Sequence, residues 1–152
     1  MGIRHFHNLF SNQGEISLVE VIQTGQTFPR YVEEEDAQEL MGEVIRGEVE
    51  GIVKAIPKGR SPGPDGWTVE MFQNLFEQLG KDLIEVVEES RRKGDIYPPF
   101  NSTFIALIPK KEESSSFEDF KPISLCNCIY KIIEKVIALR VKPILSRHMS
   151  SE

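Results

Sequence analysis

Residues 58–66 place the strongest limit on how this chain can fold. They read KGRSPGPDG, with two prolines and three glycines in nine residues. Proline lacks the N–H that a helix interior needs, and glycine destabilises a helix, so a helix cannot continue through this segment. The segment therefore predicts a structured turn between two helical parts of the chain.

Helical periodicity precedes this turn. Apolar residues recur at three- and four-residue steps from Leu40 to Ile56, which predicts helix. Glycines interrupt the pattern, so one long helix and two short helices both remain open. The acidic run Glu33–Asp36 fits the first turn of a helix, where carboxylates interact favourably with the helix dipole. A metal site is the alternative interpretation of that run.

Two further helices are predicted after the turn. An apolar stripe over residues 69–86 predicts an amphipathic helix that is either continuous or broken at Gly80, and that ends near Gly94. Residues 129–148 predict another helix. That helix should end or kink about two residues before Pro143, because the residues that precede a proline disfavour helical backbone.

A β-hairpin is predicted between these two helices. Thr103–Ile108 is apolar and β-branched and is stopped by Pro109, and Lys121–Leu125 is a second short strand, with the polar connection Lys110–Phe120 between them. Both faces of the first strand are apolar, so we expect it to be covered. The predicted fold class is α+β, mostly helical with one β-hairpin.

Length and hydropathy suggest one domain in an intracellular protein. The chain has 152 residues, enough for one core. We interpret residues 1–30 as a linker or loosely packed arm and 31–152 as the folded domain. No apolar run approaches the length of a membrane span, and the N-terminus lacks a signal-peptide pattern. We therefore expect neither secretion nor membrane association; the sequence leaves the oligomeric state undetermined.

Charge is distributed unevenly along the chain. Residues 1–95 carry ten basic and eighteen acidic side chains, whereas 121–148 carry six basic and one acidic. Lys131, Lys135 and Lys142 fall on one side of the last predicted helix. The acidic first part argues against a general affinity for polyanions, but this basic face is a candidate nucleic-acid-binding surface.

Lysines also stand at one end of the predicted hairpin. Lys110 and Lys111 follow the first strand, and Lys121 begins the second. Ammonium groups repel each other, so their grouping is most useful with a polyanion between them, such as a triphosphate or a nucleic-acid backbone. The alternative is that all three are ordinary solvated lysines.

The spacing of the two cysteines does not indicate a metal site. Cys126 and Cys128 form a Cys-x-Cys pair without the second pair that a zinc site needs. We interpret them as half-buried thiols.

Five segments carry a resemblance to a known family when taken in order. The chain resembles the reverse transcriptases of non-LTR, LINE-type retrotransposons, of the kind abundant in plants, closely over residues 52–151 and weakly before Tyr31. The segments are His5–Phe10, Lys58–Trp67, Asn101–Lys111, Asp119–Asn127 with Ile129–Ile133, and Lys135–Arg140 with Lys142–Leu145.

The resemblance implies a right-hand polymerase that copies RNA into DNA. This chain would be the fingers with the start of the palm. Lys110 or Lys111, together with Lys121, would bind the deoxynucleoside triphosphate, and the basic helix face would lie near the RNA template or DNA primer. Where Lys121 stands the family usually has Arg, and Lys lacks the bidentate fork of that side chain.

The catalytic residues of the family do not match any position in this sequence. Its Asp motifs, which bind the Mg²⁺ ions of the complete polymerase, lie beyond the equivalent of Glu152, and this chain has no Asp after Asp119. We therefore assign no catalytic or metal-binding residue and no cofactor to this chain, and predict that it is inactive alone. The alternatives are a retained RNA- or protein-binding module, and a portion of an intact enzyme.

Overall fold

A computed structural model describes residues 32–149, together with Ser11 and Ile22. The predicted arm of residues 1–30 lies outside the described residues except at those two positions, and its boundary with the domain stays a prediction. Within residues 32–149 the elements in chain order are α1 (Glu34–Leu40), α2 (Arg46–Ala55), α3 (Val69–Asn74), α4 (Phe76–Lys93), β1 (Thr103–Pro109), a 3₁₀ turn (Phe117–Asp119), β2 (Phe120–Cys126) and α5 (Cys128–Met149).

The predicted α+β class, mostly helical with one hairpin, is confirmed. Of the described residues, Val32–Ala106 and the segment from Ile123 onward form one compact unit, and Leu107–Pro122 belongs to a second. No described helix is long and apolar enough to cross a membrane.

The helices form the core of the larger unit. Helix α2 packs against α3, α4 and α5, and α5 also contacts α1 and α4. Ile132 and Val49 are completely buried at this junction, and burying one such side chain stabilises the fold by roughly 1.5–3 kcal/mol. The other members of the cluster are Val44, Ile52, Val53, Ile56, Val69, Phe72, Phe76, Leu83, Val87, Cys128, Ile133 and Val136.

The helical pattern before the turn forms two helices rather than one. Helix α1 begins with three acidic residues, as the dipole argument for the run Glu33–Asp36 predicts. Residues 41–45 then leave the helix, and Arg140 of α5 holds this connection. Its guanidinium donates to the carbonyl oxygens of Leu40, Gly42 and Glu43 at 2.6–3.1 Å and to both carboxylate oxygens of Glu48 at 2.7–2.8 Å.

The alternative break at Gly80 in the next helical pattern is wrong. The break is at Leu75, between α3 and α4. Gly80 is buried, and a Cβ there would lie 3.1–3.3 Å from the ring of Phe76. This glycine therefore lets an aromatic ring pack on the helix backbone without interrupting the helix. The predicted end is correct, since α4 stops at Lys93 and Gly94 adopts a left-handed conformation with φ 65°.

The predicted end of the last helix before Pro143 is also wrong. Helix α5 continues through this proline to Met149. Beyond Pro143, Ile144 is 2% exposed, and Arg147 forms an ion pair with Asp36 of α1. These contacts hold the final turns in place and offset the hydrogen bond that proline cannot donate.

The hairpin forms where it was predicted, but its first strand is not covered. Every residue of β1 except Ala106 is exposed, including Phe104 at 57% and Ile108 at 47%. The sheet formed by the described residues has two strands, and the helices bury their apolar faces mainly against each other. The apolar residues on both faces of β1 are therefore left in contact with solvent.

Candidate functional site

The end of the hairpin brings two of the predicted lysines against its loop. The backbone N–H of Lys110 donates to the carbonyl oxygen of Asp119 at 2.7 Å. The Nζ of Lys110 donates to the carbonyl oxygen of Glu118 at 2.8 Å, and the Nζ of Lys111 lies 2.7 Å from Asp119 Oδ1. Both ammonium groups thus lie beside the residues that immediately precede β2.

Asp119 organises this loop electrostatically. Its other carboxylate oxygen accepts the backbone N–H groups of Ser115 and Ser116 at 3.0 and 3.1 Å. The hydrogen bond from Lys111, followed by these two N–H donors, holds the pKa of Asp119 well below its usual range. Lys111 is therefore partly neutralised by an ionised partner, although its side chain remains 58% exposed.

Lys121 lies on β2, two residues after Asp119, and is exposed. In the antiparallel hairpin, the bond between Lys110 and Asp119 implies that Lys121 lies opposite Ile108. Opposite and alternate residues share one face of a two-stranded sheet. Lys110 and Lys121 consequently belong to the same face, and the side chain of Lys121 forms no hydrogen bond or ion pair with the described residues.

The basic helix face contributes to a cleft in the larger unit. This cleft has a volume of about 640 Å³ and lies between the 58–66 turn, the end of β2 and the first turns of α5. Lys131 and Lys135 line it, whereas Lys142 lies outside its lining and is exposed. The remaining lining residues are Ile56, Pro57, Gly59, Arg60, Ser61, Pro62, Trp67, Thr68, Val69, Ile123, Ser124, Leu125, Cys128, Glu134 and Ala138.

Asn127 fixes the turn that forms one wall of this cleft. It is 1% exposed. Its side-chain oxygen accepts the N–H of Asp65 at 3.2 Å, and its amide donates to the carbonyl oxygen of Pro99 at 2.9 Å. Gly63 packs so closely that a Cβ would lie 2.3 Å from Asn127 Oδ1. Our sequence reasoning missed Asn127, because a single Asn beside a cysteine gives no signal of the distant turn that it contacts.

Cys128 has the properties of a core residue rather than a reactive thiol. Burial raises its pKa to about 11, so it is a neutral thiol at pH 7. Both cysteines are free, and the described residues contain no group of three His, Cys, Asp or Glu side chains placed to hold a metal ion. The described residues therefore give no support to the alternative interpretation of Glu33–Asp36 as a metal site.

Comparison with known proteins gives one informative similarity. No family model matches the chain. It is 32% identical over 115 residues to the Transposon TX1 uncharacterized 149 kDa protein of Xenopus laevis. The chain is related to a transposon-encoded protein. The match covers 76% of this chain, but the chain spans only about 9% of the length of the Xenopus protein.

Proposed function

We propose that the chain is part of the reverse transcriptase of a non-LTR, LINE-type retrotransposon, similar to those of plants, and that it forms the fingers and the start of the palm. The relationship to a transposon protein supports this origin. The observation that carries the proposal is the hairpin end, where Lys110 and Lys111 lie against the residues immediately before β2. Lys121 follows on β2, so three lysines belong to this end of the hairpin, and Asp119 neutralises part of their charge.

Triphosphate binding at this end would use the exposed ammonium groups. Lys121 has no described partner, and Lys111 can use donors that its bond to Asp119 leaves free, because an ammonium group carries three N–H donors. In the parent enzyme, Lys131, Lys135 and Lys142 would contact the backbone of the RNA template or DNA primer. Such contacts with phosphates are electrostatic and do not depend on the nucleotide sequence.

Isothermal titration of the chain with a deoxynucleoside triphosphate and Mg²⁺ tests the proposal. Lys121→Arg should tighten binding by about threefold or more, because guanidinium can form a bidentate hydrogen-bonded pair with phosphate. Lys121→Ala should weaken it. Lys81→Arg and Lys81→Ala are matched controls on the exposed surface of α4 and should change nothing. Equal affinity for wild type and both Lys121 variants would contradict the proposal.

We also propose that the isolated chain does not polymerise. Phosphoryl transfer of this kind uses two metal ions held by carboxylates, and the sequence has no Asp–Asp pair and no Asp after Asp119. Incubation with a primed RNA template, triphosphates and Mg²⁺ should give no extension product. Extension by pure protein, absent when Lys121 is replaced by Ala, would overturn this expectation.

A retained binding module is the second candidate, and the basic cleft favours it. Lys131 and Lys135 line a preformed cavity in the larger unit. Binding of RNA in this cavity would not require the hairpin lysines. RNA binding without triphosphate binding would favour this candidate over the polymerase fragment.

A further inference from the structure

Trp67 lies at the rim of the basic cleft and is 40% exposed. It is the only tryptophan in the chain. Its ring packs on Phe72 with the ring centroids 5.6 Å apart and the planes tilted by 41°. Phe72 is buried in the core. The indole is therefore supported by a buried ring and remains partly accessible to solvent.

Among the side chains that line the cleft beside this ring, basic groups outnumber acidic groups. Arg60, Lys131 and Lys135 line it, against the single acidic residue Glu134. Lys131 lies over the turn, with its Nζ 3.4 Å from the carbonyl oxygen of Ser61. This local excess occurs in a chain whose formal net charge is −6, so it is not a consequence of overall composition.

The wall that carries Trp67 is held in place before any ligand arrives. The N–H of Trp67 donates to Asp65 Oδ1 at 3.0 Å, and the N–H of Asp65 donates to the buried Asn127 at 3.2 Å. Gly63 is packed against the same asparagine. A preorganised site binds with less loss of conformational entropy than a mobile one.

We propose that this cleft binds single-stranded nucleic acid, with one unpaired base stacked on Trp67 and the phosphates following Arg60, Lys131 and Lys135. The inference rests on the nucleic-acid contacts in the proposed function and adds a stacking residue and a strand preference. Aromatic platforms beside basic grooves bind single strands because every base offers a π-face, whereas a duplex keeps its bases paired and stacked.

An oligonucleotide fits this surface better than a mononucleotide. A volume of about 640 Å³ is within the usual range for a small ligand. The basic row continues outside the cleft, because Lys142 lies roughly 10 Å beyond Lys135 at the helical rise per residue. A single nucleotide would leave that lysine without a phosphate, while a strand lying along α5 would reach it.

The single tryptophan makes the inference directly testable. A single-stranded oligouridylate should quench the intrinsic fluorescence of the full chain, because the stacked base contacts its only indole. An abasic oligomer with the same number of phosphates should bind by anisotropy without comparable quenching. A blunt duplex of the same length should bind more weakly and leave the fluorescence unchanged. Trp67→Leu should weaken oligouridylate binding by about tenfold but not abasic binding.

Charge variants test the path of the backbone. Lys135→Glu and Arg60→Glu should each weaken oligouridylate binding about tenfold, and Lys81→Glu, on α4 and outside the cleft, should not. Oligouridylate binding with no change in Trp67 fluorescence would overturn this inference and leave the nucleic-acid contacts of the proposed function intact. Absence of any oligonucleotide binding would overturn both the inference and those contacts, while triphosphate titration still judges the hairpin separately.

Discussion

At the scale of single residues, Gly63 packs more closely on its neighbours than any other described glycine, and the nearest of them is Asn127. A Cβ on Gly63 would lie 2.3 Å from the asparagine Oδ1, 2.4 Å from its backbone N and 2.6 Å from the carbonyl carbon of Cys126. Two of these atoms belong to the backbone at the β2–α5 junction, which cannot move aside without disturbing both elements. The turn and this junction are therefore fitted to each other.

Gly63→Ala should destabilise the chain by about 1–3 kcal/mol, because the added methyl group forces either the turn or the junction to shift. Gly51→Ala is the matched control. Gly51 is exposed within α2, and a Cβ there meets nothing within 4 Å, so alanine should stabilise the helix by about 0.5–1 kcal/mol. Urea denaturation of both variants measures these changes. Equal changes in the free energy of unfolding for the two variants would contradict the close packing of Gly63.

At the scale of elements, two charged side chains of α4 hold the connection between α1 and α2. Glu88 accepts the N–H of Val44 at 3.0 Å, and Arg91 donates to the carbonyl oxygen of Met41 at 2.6 Å. Arg91 and Glu88 also form an ion pair at 2.5 Å, with side chains 22% and 18% exposed. Like Arg140, these two side chains form hydrogen bonds with backbone groups that have no helical partner.

The Glu88 contacts predict a specific dependence of stability on pH. The Arg91 hydrogen bond, and secondarily the Val44 N–H, lowers the pKa of Glu88 to about 2 from its ordinary 4.5. The ionised Glu88 therefore makes its full contribution to the free energy of unfolding above pH 4.5, and this contribution is lost as the pH falls toward 2. Glu88→Gln should lower the free energy of unfolding on the order of 2 kcal/mol at pH 7 and little at pH 2.

Urea denaturation at several pH values measures this difference. Glu89→Gln is the control, because the exposed Glu89 pairs with Lys93 and solvent screens that interaction. Its stability relative to wild type should change far less across the same pH range. A Glu88→Gln difference that is constant from pH 7 to pH 2 would refute the assignment.

The existence of the helices and strands was predictable from the local pattern, but the break at Leu75 and the end of α5 were not. The steps of three and four residues from 69 to 86 located helix correctly, and the β-branched run at 103–108 located β1. The local propensities of Gly80 and Pro143 favour a break or an end of the helix, but tertiary contacts override them. Gly80 accommodates the ring of Phe76, and Pro143 is followed by the buried Ile144. Such contacts join distant segments and leave no periodic signal.

The candidate sites show the same division. Lys131 and Lys135 were predicted as one helix face, and both do line one cleft. Trp67 and Arg60 were read only as parts of a turn, because their proximity to α5 depends on Asn127. Sequence pattern groups residues of one element, whereas a cleft between elements requires the tertiary fold.

At the scale of the whole molecule, the main departure from expectation is the exposure of apolar side chains on the hairpin. Covering β1 was expected because both of its faces are apolar, yet Phe104, Ile105, Leu107 and Ile108 are 39–57% exposed. The helices instead use their apolar faces to build the core around Ile132 and Val49. Apolar side chains that contact water contribute little to folding and promote self-association.

Phe104→Ser should therefore change the free energy of unfolding by less than about 1 kcal/mol, since the ring is already 57% exposed. It should also reduce binding of an apolar dye and concentration-dependent association. Phe72→Ser is the matched control, because Phe72 is 4% exposed and its loss should cost about 3–5 kcal/mol. Urea denaturation, dye fluorescence and sedimentation compare the two variants. If Phe104→Ser destabilises the chain as strongly as Phe72→Ser, β1 is packed in solution, and the hairpin is an integral part of the core.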